Sequence, residues 1–243
     1  MKETLARTFE GLQKELVAYL CRLVVRPSVA EELAQTAVLR GLESADSLPR
    51  EAGGQRAWLF KVATRLAIDE LRRHANWRET AIFELREQAE GDALFMARSA
   101  ELVGTPETKA IAREHLLACL ACTLRQLPER KAAALLLKEV HGFSLEETAQ
   151  CLEATSVQVK NWLQEARRHM EGFYGPTCAL VAKAGVCHQC SELDSFFAAE
   201  TGNPLAARGS AHVAERLEIA RQLRDRPWGS WHRLLMELVD DLG

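Results

Sequence analysis

Gly142-Phe143-Ser144-Leu145-Glu146-Glu147-Thr148-Ala149-Gln150-Cys151-Leu152, then Glu153-Ala154-Thr155, then Ser156-Val157-Gln158-Val159-Lys160-Asn161-Trp162-Leu163-Gln164-Glu165-Ala166-Arg167-Arg168-His169-Met170, is the stretch whose reading decides the fold. Ser144 and Glu147 have the spacing of a capping box, in which each side chain satisfies a backbone N–H left free at a helix start. Leu145, Thr148, Ala149 and Leu152 follow at three- and four-residue steps, one face of a short helix. A second helix starts near Ser156, with Val159, Leu163, Ala166 and Met170 on its inner stripe. So few residues separate the two that they must cross steeply, as in a helix-turn-helix. The outer face of the second helix carries Gln158, Lys160, Asn161, Gln164, Arg167 and Arg168, groups able to meet base edges or phosphates. The plainer reading is a solvated face on an ordinary helical hairpin, and the flanking chain weighs against it.

Upstream of this unit, Ile111–Leu127 reads as a helix, and Pro128 opens another through Val140 from the first helical position. Residues 84–109 are acidic, with Gly91, Gly104 and Pro106, and read as a partly helical linker. Before the linker stand three helices. Residues 2–24 carry Leu5, Phe9, Leu12, Leu16, Leu20 and Leu23 on one stripe. Arg26-Pro27-Ser28 interrupts, a second helix runs from about Val29 to Glu43, and 44–54 is a loop with Pro49 and a Gly-Gly pair. The third, about Gln55 to His74, is expected to bury Trp58, Leu59, Val62, Leu66 and Leu71. It ends in Leu71-Arg72-Arg73-His74-Ala75-Asn76-Trp77-Arg78, cations interleaved with an aromatic. Such a patch suits either a solvated helix end, where the dipole favours cations, or a nucleic-acid strand with unstacked bases.

Composition bounds the function classes. The 243 residues are 47% hydrophobic and 27% charged, as in a globular protein, with no apolar run long enough to span a bilayer. The N-terminus lacks a signal-peptide core, so a cytoplasmic protein is expected. A net charge of −3 requires any nucleic-acid binding to rest on cations concentrated on one or two helices. Seven cysteines, an odd number in a reducing compartment, read as core thiols, metal ligands or redox sensors rather than a disulfide framework.

Ala30-Glu31-Glu32-Leu33-Ala34-Gln35, Arg56-Ala57-Trp58-Leu59-Phe60-Lys61-Val62-Ala63 and Ala67-Ile68-Asp69-Glu70-Leu71-Arg72-Arg73 resemble region two of the extracytoplasmic-function sigma factors of bacterial RNA polymerase. Leu127-Pro128-Glu129-Arg130 and the 142–170 unit resemble their region four. The ordered pair of blocks covers roughly residues 5–172. The resemblance implies an all-α initiation subunit that performs no bond chemistry itself. Region two would be a helical bundle over residues 1–83, the acidic linker 84–109, and region four a helix-turn-helix over 110–174. Residues 175–243 would form a helical extension with a regulatory role in cis.

By the same resemblance, Glu31, Glu32, Leu33 and Gln35 match positions that dock on the polymerase's beta-prime clamp helices. Asp69, Arg72, Arg73 and nearby Trp77 match the helix that opens and reads the minus-ten element of promoter DNA. Ser156, Gln158, Lys160, Asn161, Gln164 and Arg167, with Arg168 beside them, match the helix read against the minus-thirty-five element. Core RNA polymerase and promoter DNA are the implied partners, and an anti-sigma protein is a further candidate. The chain departs from the pattern at Val29 and Thr36, where acidic residues are usual, which points to weaker clamp docking. It departs again at Trp162 and Glu165, where arginines are usual. Glu165 beside a phosphate would be repulsive by about 1 kcal/mol at about 4 Å in water.

The extension holds Cys178 and then Cys187-His188-Gln189-Cys190, with helical stretches expected near 191–200, 211–224 and 230–242. Cys187 and Cys190 at C-x-x-C spacing suit one metal, zinc or another, or a redox disulfide. Cys178, His188, His212 and His232 are the candidate further ligands, and the plainer reading is packing thiols. Cys119 and Cys122, on an apolar helix, read as buried thiols, as do Cys21 and Cys151. Two rival functions stand beside the sigma factor. A stand-alone helix-turn-helix regulator has no use for the region-two block. A thiol oxidoreductase built on Cys187 and Cys190 lacks the strand–helix alternation of a thioredoxin-like scaffold.

Overall fold

The computed structural model describes residues 2–46, 48–49, 51–73, 120–121, 123–124, 126–177 and 211–226. Its elements are α1 (Lys2–Val24), α2 (Pro27–Glu43), α3 (Ala52–Arg73), α4 (Glu129–Leu135) continued by a π-helical turn (Leu136–Val140), α5 (Leu145–Cys151), α6 (Ser156–Thr177) and α7 (Ala211–Gln222). Among the described residues there is no strand.

Helix α1 buries Phe9, Leu16, Leu20 and Leu23 as its spacing predicts, and from Ala18 to Val25 every side chain is buried. A helix end buried all round must be covered by more than its bundle neighbours, and here α1 contacts α2, α3 and α4. The chain leaves α1 through Val25 in a left-handed conformation (φ 68). Helix α2 then begins at Pro27, two residues before the expected Val29. Proline suits the first helical turn because its missing N–H has no partner to lose there. The buried face of α2 is Ala30, Ala34, Ala37 and Gly41. Small residues let α1 come close: a Cβ at Gly41 would lie 2.4 Å from Cε2 of Phe9.

Helix α3 starts at Ala52, three residues earlier than expected, and takes the Gly53-Gly54 pair into its first turn. Gly54 marks a close approach, since a Cβ there would sit 2.5 Å from Cβ of Pro49. The buried face is Leu59, Phe60, Ala63, Thr64, Ala67, Ile68 and Leu71. Of the five residues expected there, Leu59 and Leu71 are buried, while Trp58, Val62 and Leu66 are half-buried. The face is rotated because a polar residue enters the core with its hydroxyl satisfied. Thr64 Oγ1 donates to the Phe60 carbonyl at 2.6 Å and lies 2.7 Å from the Tyr19 hydroxyl.

Pro128 stands at the N-cap of α4 rather than at its first helical position. The π turn after α4 hands over to the next helix through Gly142 (φ 72). The predicted capping box is present at α5: Ser144 N–H donates to Glu147 at 2.7 Å, and Glu147 N–H donates to Ser144 Oγ at 3.1 Å. Val159, Leu163, Ala166 and Met170 of α6 are buried as expected. Helices α1–α3 form a bundle, α5 packs on α3, α4 and α5 pack on α6, and α7 lies against the π turn and α6. One hydrophobic cluster runs through all of them.

Candidate nucleic-acid interface

Helix α6 is aimed by its own two faces. With the inner stripe in the core, Gln158, Lys160, Asn161, Gln164, Arg167 and Arg168 are exposed together, and Ser156 is half-buried at the start. The start is capped by a second reciprocal pair. Thr155 N–H donates to Gln158 Oε1 at 2.9 Å, and Gln158 N–H donates to Thr155 Oγ1 at 3.2 Å. Thr155-x-x-Gln158 carries that signature in the sequence, and it ties one predicted reading group into helix capping.

Two charges of α6 are answered within the molecule. Glu165 pairs with Lys131 of α4 at 2.5 Å, so its charge is partly compensated within the molecule. Arg167 pairs with Glu139 of the π turn. Lys160, Asn161, Gln164 and Arg168 remain an outward polar row.

Asp69, Arg72 and Arg73 are exposed at the end of α3, and Arg73 lies 3.8 Å from Glu70. Trp77, expected beside them, lies outside the described residues. Glu31, Glu32 and Gln35 are exposed on the outer face of α2, with Leu33 half-buried. Gln35 borders a groove of about 310 Å³ between α1 and α2, lined also by Phe9, Ala34, Val38 and Leu39. Leu39 is 60% exposed, a large apolar group standing in solvent beside the expected polymerase face.

The two blocks meet at a polar junction that sequence reading missed. Arg56 of α3 donates to Glu15 of α1 at 2.7 Å and to the His141 carbonyl at 2.7 Å. His141 Nδ1 is 3.0 Å from Glu15, and its side chain is fully buried. Burial alone would raise the Glu15 pKa, but hydrogen bonds from His141 and Arg56 outweigh it and lower it to about 2. Burial lowers that of His141 to about 4 against the pull of Glu15, so a neutral imidazole faces a carboxylate at neutral pH. The Arg56 guanidinium also lies over the Phe143 ring, 4.0 Å from its centroid, and Phe60 stacks near Tyr19, His141 and Phe143. Glu15, Arg56 and His141 are far apart in the chain and share no motif, so nothing short of the fold joins them.

Cys151 donates its thiol to the Ala57 carbonyl at 3.4 Å, and burial pushes its pKa up to about 12. Cys21 is likewise buried. Both are packing thiols, as the sequence suggested. Cys119, Cys122, Cys178, Cys187, His188, Cys190 and His232 lie outside the described residues. The backbone of His212 is in α7, but its side chain is not among those described. Among the described residues no group of three or more His, Cys, Asp and Glu side chains is arranged to hold a metal ion, and no described helix is long and apolar enough to cross a membrane.

Comparison with known proteins identifies the two blocks. Residues 8–77 match the family model for sigma-70 region 2, and residues 117–170 match that for sigma-70 region 4. The chain is 25% identical over 177 residues to the ECF RNA polymerase sigma factor SigX of Bacillus subtilis (strain 168), covering 70% of this chain and 86% of that protein. The region-2 match covers α1 from residue 8 through the exposed end of α3, and the region-4 match covers α5 and α6 as far as residue 170. With both blocks present in order around these two faces, the chain belongs to the extracytoplasmic-function sigma factors of the sigma-70 family, subunits that direct RNA polymerase to promoter DNA.

Proposed function

We propose that the sigma-factor work is divided along the chain. Residues 1–83 dock on core polymerase and open the minus-ten element, and 84–109 connect. Residues 110–174 hold the minus-thirty-five element, and 175–243 regulate in cis. The observation that carries this reading is the pairing of two exposed polar faces with two buried stripes: the outward row of α6 over its apolar stripe, and Asp69, Arg72 and Arg73 exposed in the last turns of α3. Lys160, Asn161, Gln164, Arg167 and Arg168 read the upstream element, with Ser156 and Gln158 setting the start of the helix. Arg72 and Arg73 take the opened strand, joined by Trp77.

Glu31, Glu32, Leu33 and Gln35 dock on the beta-prime clamp helices, and the exposed Leu39 beside them supports an apolar component to that contact. An anti-sigma protein is a further candidate partner for the same faces. The factor works in the cytoplasm, beside the chromosome, and makes or breaks no covalent bond. A metal or redox role for Cys178, Cys187, His188 and Cys190 keeps its sequence motivation, the C-x-x-C spacing.

This division has a geometric consequence. The two promoter elements are about 25 base pairs apart, or about 85 Å at about 3.4 Å per base pair. In the structure α5 sits directly on α3. From Ala57 to Arg73 is roughly 24 Å of helix at about 1.5 Å per residue, and packed helix axes are only about 10 Å apart. The two reading faces are therefore within roughly 50 Å of one another. The arrangement is closed, and reading both elements at once requires it to open.

The test is transcription with core polymerase from a duplex promoter. Replacing Arg72 and Arg73 together with Ala should abolish the run-off product while sparing co-purification with core polymerase. A normal product yield from that variant would remove the end of α3 from strand opening. Failure of the unaltered chain to bind core polymerase would overturn the division as a whole.

A further inference from the structure

We propose that α7 is a clasp acting in cis: the C-terminal end of this extension helix is seated on Arg22 of α1, its body is packed on the π turn and α6, and the seating holds the two sigma regions closed. The consequence for transcription rests on the sigma-factor reading above; the clasp itself rests on geometry.

The seat is chemically matched to its occupant. Arg22 Nη2 donates to the carbonyls of Leu223 at 2.8 Å and Arg226 at 2.9 Å, and Nη1 donates to that of Arg224 at 3.3 Å. These carbonyls lie in the turn directly after α7, beside the partial negative charge of the helix end, and that of Leu223 also accepts from the Arg226 N–H at 3.0 Å. A guanidinium fork is the side chain best shaped to meet several of them at once. Arg22 is fully buried under this cover, and although burial lowers its pKa to about 10, it stays cationic at neutral pH. The turn that this enclosed cation holds lies 201 to 204 residues further along the chain.

The same helix grips region four. Val213, Leu217 and Ala220 are buried, and α7 contacts both the π turn and α6. Arg221 Nε donates to the Glu139 carbonyl at 2.9 Å, and its guanidinium lies 3.8 Å from the Glu139 carboxylate. That carboxylate also engages Arg167, a reading group of α6. Arg224 Nε lies 3.9 Å from Glu15, the centre of the polar junction. Helix α7 and the turn after it therefore touch α1, the junction and the segment leading to the recognition helix. Binding that needs the open form is weakened by the fraction of molecules held closed, so loosening the clasp should strengthen it.

Two variants of the full chain test this. Leu217→Asp puts a charge into the buried face of α7, and Arg221→Ala removes a partly exposed contact without touching the core. Hydrogen exchange followed by mass spectrometry and run-off transcription at limiting factor are the readouts. In Leu217→Asp, residues 211–222 should exchange at least tenfold faster, and α5 and the π turn should follow, while the interior of α1–α3 keeps its protection. Half-maximal transcription should then need at least threefold less factor, with Arg221→Ala shifted the same way by a smaller amount. If α7 exchanges faster while α5, the π turn and transcription are unchanged, the helix is a passive appendage and the clasp is overturned. Should Leu217→Asp lose helicity throughout, Arg221→Ala decides: no change in exchange or in factor requirement overturns the proposal. If the unaltered chain fails to bind core polymerase, the sigma-factor reading fails, while coupled exchange of α7 and α5 still judges the clasp.

Discussion

Helices α1–α3 and helices α4–α6 solve the same problem by different means. The first set has 23, 17 and 22 residues, long enough for burial along a full stripe to hold each helix. Neither α2 nor α3 needs a strong side-chain cap, and Arg26 at the α2 N-cap makes no capping hydrogen bond. In the second set α4 and α5 have seven residues each, too short to persist on propensity alone. The helix-turn-helix is held instead by reciprocal caps at Ser144–Glu147 and Thr155–Gln158, a threonine hydroxyl donated to the Ser144 carbonyl at 2.7 Å, and an arginine, Arg130, donating to the Leu152 carbonyl at 2.8 Å. Long helices are specified by periodicity and α5 by its ends, while α4, which has no side-chain cap, is held by burial of Ala132–Leu135. The recognition helix, α6, draws on both.

The largest effect expected is one that erases the comparison. Phe60 is fully buried in α3 and its ring meets His141 and Phe143 from the other set. Phe60→Ala should cost about 3–5 kcal/mol in urea unfolding and lower the stability of both sets together. A loss confined to α1–α3, with α5 and α6 equally protected from hydrogen exchange, would show that the sets stand independently.

Acid should attack the junction in preference to either interior. His141 has a folded pKa near 4 against an ordinary value of 6.5, so the unfolded chain binds its proton first as pH falls. Its contribution is complete above about 6.5 and is lost between 6.5 and 4. Glu15, near 2 against 4.5, acts with the same sign and is lost between 4.5 and 2. Stability should fall with a slope approaching about 1.4 kcal/mol per pH unit as His141 titrates, in the presence of its charged neighbours Glu15, Arg56 and Arg22. His141→Gln should flatten the upper part of that profile; an unaltered profile would remove His141 from the acid response.

A smaller effect separates the sets again. Gly41→Ala drives a methyl into the Phe9 ring, an overpacking expected to cost about 1–3 kcal/mol and to be felt in α1 and α2 rather than in α5. Smallest is the loss of a cap. Ser144→Ala removes one half of the capping box and should cost about 1 kcal/mol, read as faster exchange of the α5 amides with α1–α3 unchanged. Were the two substitutions to perturb the same amides equally, the distinction between stripe-held and cap-held helices would not stand.

The local devices were legible in the residues because each operates over a few positions. Ser144 and Glu147 are three apart, the α6 stripe repeats within two turns, and Phe9, Leu16, Leu20 and Leu23 mark α1 without help from the rest of the chain. The rotated face of α3 was not legible. Counting apolar residues selects Trp58 and Val62, whereas the core admits Thr64 because Tyr19, from another helix, supplies its partner.

By itself the sequence determined the all-helical class, the helix-turn-helix and its outward polar row, and the order of the two sigma blocks, since capping, periodicity and polarity are properties of short segments. Only the tertiary structure decided that Glu15, Arg56 and His141 form one junction, that Lys131 and Glu139 take up the charges of Glu165 and Arg167, and that Arg22 receives the end of α7. Those contacts join residues 28 to 204 positions apart, or groups on different helices whose facing depends on every packing angle between them. A buried charge such as Arg22 reads in sequence as a polar interruption of an apolar stripe. Its partners are backbone carbonyls, which every residue possesses and no side-chain pattern announces.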